Sequence, residues 1–168
     1  MSSHVTLKGN PIPVAGTLPH AGAPAPDFTL VKADLSEVTK ASLAGKTVVL
    51  LTVPSVDTAV CALETRKFNE KAAALPGVTI VVASADLPFA LKRFCAAEGI
   101  ANVVAASDLR DRGFGARWGV AITGGPLAGV LARAAFVIAP DGKVRSVHLV
   151  PEIAQEPDYD AVLASARG

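Results

Sequence analysis

The 168-residue sequence predicts the α/β fold class, a sheet of mainly parallel strands with helices packed on it. Three observations lead there. Residues 47–53 and 78–84 are continuous apolar runs rich in β-branched side chains, the composition of strands buried on both faces. Residues 58–75 and 88–98 space apolar or small side chains at helical intervals, so strand and helix alternate as in βαβ units. Finally, Pro140-Asp141-Gly142 separates two further runs, 134–138 and 144–150, as the turn of a hairpin that adds an antiparallel strand to the sheet.

Taken in order, the chain opens as a hairpin. Val5-Thr6-Leu7-Lys8 and Pro11-Ile12-Pro13-Val14 flank Gly9-Asn10, a pair that tolerates positive φ. Residues 16–26 hold too many Pro and Gly for a long element, and 28–31 and 37–39 read as short strands around Ala33-Asp34. The first buried strand follows at 47–53, then a helix over 58–75 with Cys61, Phe68 and Ala72 at helical spacing among charged residues. A second buried strand at 78–84 leads into a helix over 88–98 that stops at Gly99. A third run occupies 103–106, a short helix 112–119, the hairpin 134–150, and a closing helix 158–167. There is no internal repeat, low-complexity tract or linker. The expected organisation is one domain over 1–168, with 1–16 as an N-terminal hairpin extension. Strand, helix, strand, hairpin and helix is the order of a thioredoxin-like domain.

Bulk composition removes several function classes. Apolar residues make up 51% and charged residues 18%, enough for a packed core and unlike a disordered chain. A net charge of +1, a pI near 7.8 and no Lys/Arg run argue against nucleic acid as partner. Mean hydropathy is +0.42, yet every apolar run is far shorter than the ~18 residues that cross a bilayer. The opening Met-Ser-Ser-His-Val-Thr-Leu-Lys lacks the pattern of a secretory leader, so a cytoplasmic protein is expected, with no membrane partner. The two cysteines are too few for a disulfide framework. No two of the five Cys and His residues stand two to five apart, so neither a metal nor another cofactor is expected.

The chemistry concentrates in Pro54-Ser55-Val56-Asp57-Thr58-Ala59-Val60-Cys61, which joins the first buried strand to the helix after it. Loops at the carboxyl ends of such strands form the usual ligand crevice of an α/β sheet. Pro54 ends the strand, and Asp57 or Thr58 is placed to cap the helix, which puts Cys61 in its first turn. There the free N–H groups and the positive end of the helix dipole favour thiolate over thiol. Thr58, three residues earlier, is within reach of turning its hydroxyl to the sulfur. A dithiol oxidoreductase would carry a second cysteine at position 64, but that residue is Glu64, which excludes exchange within one turn.

The pattern P-x-x-x-T-x-x-C at 54–61 resembles the peroxiredoxin signature. Leu7-Lys8-Gly9-Asn10-Pro11, Pro54-Ser55-Val56-Asp57-Thr58, Thr65-Arg66-Lys67-Phe68-Asn69, Ser84-Ala85-Asp86-Leu87-Pro88-Phe89-Ala90, Arg93-Phe94-Cys95, Gly125-Pro126-Leu127 and Glu156-Pro157-Asp158-Tyr159 narrow the resemblance to the bacterial thiol peroxidases, across nearly the whole chain. The resemblance implies a thioredoxin-like fold of peroxiredoxin type. It also implies a thiol peroxidase acting on alkyl hydroperoxides and hydrogen peroxide. Cys61 would become a sulfenic acid, Cys95 would condense with it to a disulfide, and thioredoxin would reduce that bond. Thr58, Pro54 and an arginine matched by Arg133 complete the implied site, and a homodimer is the implied assembly. Two departures stand out: Trp118 where related sequences often have tyrosine, a change that bears on local packing or a subunit contact, and Glu64, whose charge works against a thiolate if it faces the sulfur.

Each residue also has a plainer reading. A helix cysteine is commonly a small buried hydrophobe, which applies to Cys61 and more strongly to Cys95, between Phe94 and Ala96. Thr58 could be only a cap, Arg133 only a surface residue, and His4, His20 and His148 solvated side chains. The Gly124-Gly125-Pro126 segment lacks the lysine and spacing of a phosphate loop and reads as a turn. Two other functions remain open at this point: a Cys–His hydrolase, which needs a base beside Cys61, and a non-catalytic peroxide sensor or chaperone on the same fold.

Overall fold

The computed structural model describes residues 3–168, so Met1 and Ser2 of the expected 1–16 extension lie outside the described residues. Ten strands and four helices are laid out among them. β1 (Ser3–Leu7) and β2 (Asn10–Ala15) form the opening hairpin, followed by β3 (Thr29–Lys32) and β4 (Glu37–Thr39). A single 3-10 turn at Ala41–Leu43 leads into β5 (Thr47–Thr52). Then come α1 (Ala59–Ala72), β6 (Val78–Ser84), α2 (Pro88–Glu98) and β7 (Val104–Ser107). The rest is α3 (Phe114–Arg117), β8 (Ala121–Ile122), β9 (Ala134–Ile138), β10 (Val144–Leu149) and α4 (Tyr159–Arg167).

Seven strands make the main sheet in the order β10-β9-β5-β6-β7-β3-β4. β5, β6 and β7 run parallel, as two successive βαβ units require, and β9 lies antiparallel against β5. Side chains alternate across each strand, so Val49, Leu51, Ile80, Val82, Ala135 and Val137 meet α1, α2 and α4 on one face. Val48, Leu50, Val81, Ala83 and Phe136 face a second layer containing the opening hairpin and α3. Both predicted buried strands are thus covered on two sides.

Three local details differ from the sequence reading. The hairpin turns on Lys8-Gly9, not Gly9-Asn10: Lys8 (φ 51°) and Gly9 (φ 82°) take the positive φ values, and Leu7 pairs with Asn10. That register buries Val5, Ile12 and Val14 together, and a slip by one residue would turn a strand's inward set outward. β8 was not foreseen, because two residues carry no period; it pairs with β2 and completes a small sheet β1-β2-β8. Trp118 is fully buried against Phe28, Phe114 and Phe136, with centroids 6.2, 6.1 and 4.8 Å away. It belongs to the core layer, which rules out a subunit contact for this side chain.

Candidate active site

β5 ends at Thr52, and the chain passes through Val53 and Pro54 into a tight loop before α1. Thr58 is the N-cap residue in extended conformation, so Cys61 lies in the first helical turn as expected. The cap itself differs from expectation. Thr58 Oγ1 donates to the Ser55 carbonyl (3.0 Å), neither capping the helix nor reaching the sulfur. Its proton is committed, and its lone pairs alone remain for a bound molecule.

Arg133 precedes β9, whose antiparallel register sets Ala134 opposite Thr52. Strand pairing therefore delivers this side chain to the carboxyl end of β5, 72 positions along the chain from Cys61. Arg133 is buried, and each of its three guanidinium nitrogens makes at least one bond. Nη2 donates to Cys61 Sγ at 3.3 Å and to the Ile153 carbonyl at 2.9 Å, Nε donates to the same carbonyl at 3.0 Å, and Nη1 donates to Glu64 Oε2. A guanidinium is thus held rigidly against a fully buried sulfur at hydrogen-bonding distance.

Glu64 corrects the sequence reading in a second way. Its carboxylate is buried and ion-paired with Arg133, so its charge orients the guanidinium instead of opposing the sulfur. Burial raises the Glu64 carboxyl to about 7 against the pull of Arg133, and Oε1 has no hydrogen-bond partner. Burial alone would lower Arg133, but the charges of Glu64 and Cys61 outweigh it and hold the guanidinium proton more firmly than usual.

Above these groups is a cavity of about 210 Å³ lined by Leu7, Pro54, Thr58, Ala59, Val60, Leu127, Arg133, Ile153 and Ala154. Its wall is almost wholly apolar. Of the apolar residues near the loop in sequence or on the start of α2 (Val56, Val60, Leu87, Pro88, Phe89), only Val60 contributes. Val56 and Pro88 are buried elsewhere, and Leu87 and Phe89 line a separate exposed cleft with Ala90 and Arg93. Leu7 comes from the opening hairpin, which is pinned over the site: Thr6 N donates to Pro151 O (2.7 Å), Ile153 N to Thr6 O (2.9 Å) and Gly9 N to Glu152 Oε1 (2.9 Å). These bonds also brace the Ile153 carbonyl that aims Arg133. A somewhat larger cavity of about 250 Å³ around Phe28, Lys40, Val48 and Ile138 shares no residue with the site.

Cys61, Arg133, Pro54 and Thr58 are thus brought together, and Cys95 is not part of that constellation. It is half-buried on α2, its thiol raised by burial, and packs against the same apolar layer as Cys61; both cysteines are free thiols. The side chain facing Cys61 is an arginine, and among the described residues no histidine bonds to it, which leaves a Cys–His hydrolase without its base. The sequence reading missed Glu64 and the Ile153 carbonyl as supports of Arg133. It also missed Asp86, which accepts from Ser55 Oγ (2.7 Å), Val56 N (2.9 Å) and Ser84 Oγ (2.7 Å). Glu64 and Asp86 carried a signal, the first as a departure from the family pattern and the second as part of the Ser84–Ala90 segment; Ile153 carried none.

Residues 20–163 match the Redoxin family. A thiol peroxidase of Leptospira interrogans is 52% identical over 164 residues, covering 96% of each chain. One from Mycobacterium bovis is 53% identical over 163 residues, covering 97% of this chain and 98% of its own. The crystal structure of a peroxiredoxin-like protein from Aquifex aeolicus superimposes with a TM-score of 0.93 at 46% identity, over 99% of this chain and 97% of the other. The chain belongs to the Redoxin family, within its thioredoxin-like peroxiredoxin branch. More narrowly, it is a member of the bacterial thiol peroxidase family, and its activity is thiol-dependent reduction of peroxides.

Proposed function

We propose that Cys61 is the attacking thiol and Cys95 the resolving one, in a two-cysteine cycle over the whole chain, with residues 1–16 as an N-terminal extension whose Leu7 walls the substrate cavity. The observation that supports this most is the Arg133 guanidinium 3.3 Å from Cys61 Sγ beside an apolar cavity. In the first step the Cys61 thiolate attacks one peroxide oxygen. An S–O bond forms and the O–O bond breaks. The leaving alkoxide or hydroxide takes a proton, and the sulfur is oxidised by two electrons to a sulfenic acid. Arg133 donates toward the oxygens as charge moves onto them. Thr58 offers its lone pairs to the peroxide O–H, and Pro54 shields the thiolate from water. Next the Cys95 sulfur attacks Cys61, forming an S–S bond while the S–O bond breaks and water leaves with the thiol proton.

Thioredoxin is the proposed reductant of that disulfide, alkyl hydroperoxides are the preferred substrates over hydrogen peroxide, and the working form is a cytoplasmic homodimer. The apolar cavity wall supports the substrate preference. No helix among the described residues is long and apolar enough to cross a membrane. The test is turnover of an alkyl hydroperoxide with a thioredoxin system. Cys61→Ser is expected to abolish it, and Cys95→Ser to allow one oxidation and then stall. Wild-type turnover in either variant overturns the cycle.

A further inference from the structure

We infer that Asp86 is a positioning residue that clamps the Cys61 loop to the base of the Cys95 helix and thereby sets how often the loop opens for disulfide formation. This rests on the two-cysteine reading. Asp86 lies two residues beyond the end of β6 and one before Leu87, the N-cap of α2. Its carboxylate reaches sideways to the loop after β5: Oδ1 accepts from Ser55 Oγ at 2.7 Å, and Oδ2 from Val56 N at 2.9 Å and Ser84 Oγ at 2.7 Å. The tie continues into the loop. Ser55 Oγ accepts from Asp57 N (3.2 Å), and the Ser55 carbonyl accepts from both the N–H (3.1 Å) and the hydroxyl of Thr58. The carboxylate therefore holds Ser55 and Val56 directly, and Asp57 and Thr58 through Ser55.

The other side-chain link between this loop and α2 is the Asp57–Arg93 ion pair, at 3.5 Å with both partners well exposed, which contributes little. Charge-assisted bonds to a half-buried carboxylate are the stronger class. The clamp stands where the cycle needs a change of shape. Cys61 and Cys95 are free thiols on separate helices, and a disulfide needs Cα atoms roughly 4.4–6.8 Å apart with suitably directed Cβ vectors. Bringing Cys61 out means unwinding the first turn of α1, and that turn cannot unwind while the 55–58 loop stays fixed to Asp86. Closed, the clamp keeps Cys61 beneath Arg133 for the peroxide. Open, it frees the sulfenic acid to meet Cys95.

Weakening the clamp should therefore raise the minor open population and speed the second step, an effect that a merely supporting residue would not produce. Asp86→Asn keeps the shape but turns one acceptor oxygen into a donor. Losing one charge-assisted bond corresponds to about a ten-fold larger open population. The first-order rate of Cys61–Cys95 bond formation, measured after one equivalent of alkyl hydroperoxide by rapid quench, alkylation and mass spectrometry, is expected to rise about ten-fold. Ser55→Ala, which removes the Oδ1 link and the longer Asp57 N bond but keeps the Val56 and Ser84 bonds to Oδ2, should raise it several-fold. In the Cys95→Ser background the second-order rate with peroxide should stay within about two-fold, since the closed form still dominates. Amide exchange at Val56 should accelerate by the same factor as bond formation. Unchanged or slower condensation, or both chemical steps falling together, overturns the clamp. If the wild-type chain forms no internal disulfide, the two-cysteine reading fails separately, and Val56 exchange in Asp86→Asn still decides whether the clamp exists.

Discussion

Glu64 makes folding stability depend on pH in a way that one substitution can isolate. In the folded chain burial holds its carboxyl at about 7, whereas the ordinary value, kept in the unfolded chain, is 4.5. The folded state therefore binds this proton more tightly. Its contribution is complete below pH 4.5 and is lost as pH rises through about 7. The gap between 4.5 and about 7, at ~1.36 kcal/mol per pH unit, is worth about 3 kcal/mol, most of it lost between pH 5 and 8. Glu64→Gln keeps an oxygen to accept from Arg133 Nη1 but has no proton to lose. The assay is urea unfolding of the reduced protein and the variant from pH 5 to 8 at constant ionic strength, taking the difference at each pH. The wild-type chain should lose about 3 kcal/mol more than the variant across the range, or roughly 6–12 °C in Tm for a chain of this size. Asp108, raised to about 6 by burial, works in the same sense, and His148, lowered by burial, in the opposite one; both remain in each protein and leave the difference unchanged. Parallel curves for the two proteins would refute the assignment of this proton to Glu64.

Other positions give sharper single outcomes. Leu7→Ala removes apolar wall at ~0.8 kcal/mol per lost methylene contact, so kcat/KM for a bulky alkyl hydroperoxide should fall about three- to ten-fold while that for hydrogen peroxide holds; equal losses would show that the hairpin does not touch substrate. At Gly16 (φ 90°) an added Cβ would sit 1.9 Å from the Ala116 carbonyl oxygen, so Gly16→Ala should cost at least ~2 kcal/mol in chemical unfolding, and a neutral result would place the two segments further apart. Trp118→Ala should cost roughly 3–5 kcal/mol, because the indole fills the space between Phe28, Phe114 and Phe136; a loss below ~1 kcal/mol would mean that this layer recloses over the gap.

The parts of this protein that depend on local pattern were legible in the chain. Doubly buried runs at 47–53 and 78–84 announce parallel strands, Gly99 stops α2 at φ 64°, and a proline, a threonine and a cysteine at fixed spacing mark a strand–loop–helix site. Each of these signals lies within about ten residues, which is the range over which period and capping act. Arg133 was reached through resemblance, and nothing in its neighbours separates it from any other arginine. What decides its role is the antiparallel register of β9 on β5, together with a carbonyl at Ile153 and a carboxylate at Glu64, groups drawn from three distant stretches of chain. The same holds for Thr58, whose hydroxyl turns to Ser55, for Asp86, which reaches across to a neighbouring loop, and for Leu7, which the hairpin carries over the cavity. Strand register and loop closure convert long sequence separation into contacts of about 3 Å, and no periodicity in a linear sequence encodes where those closures fall.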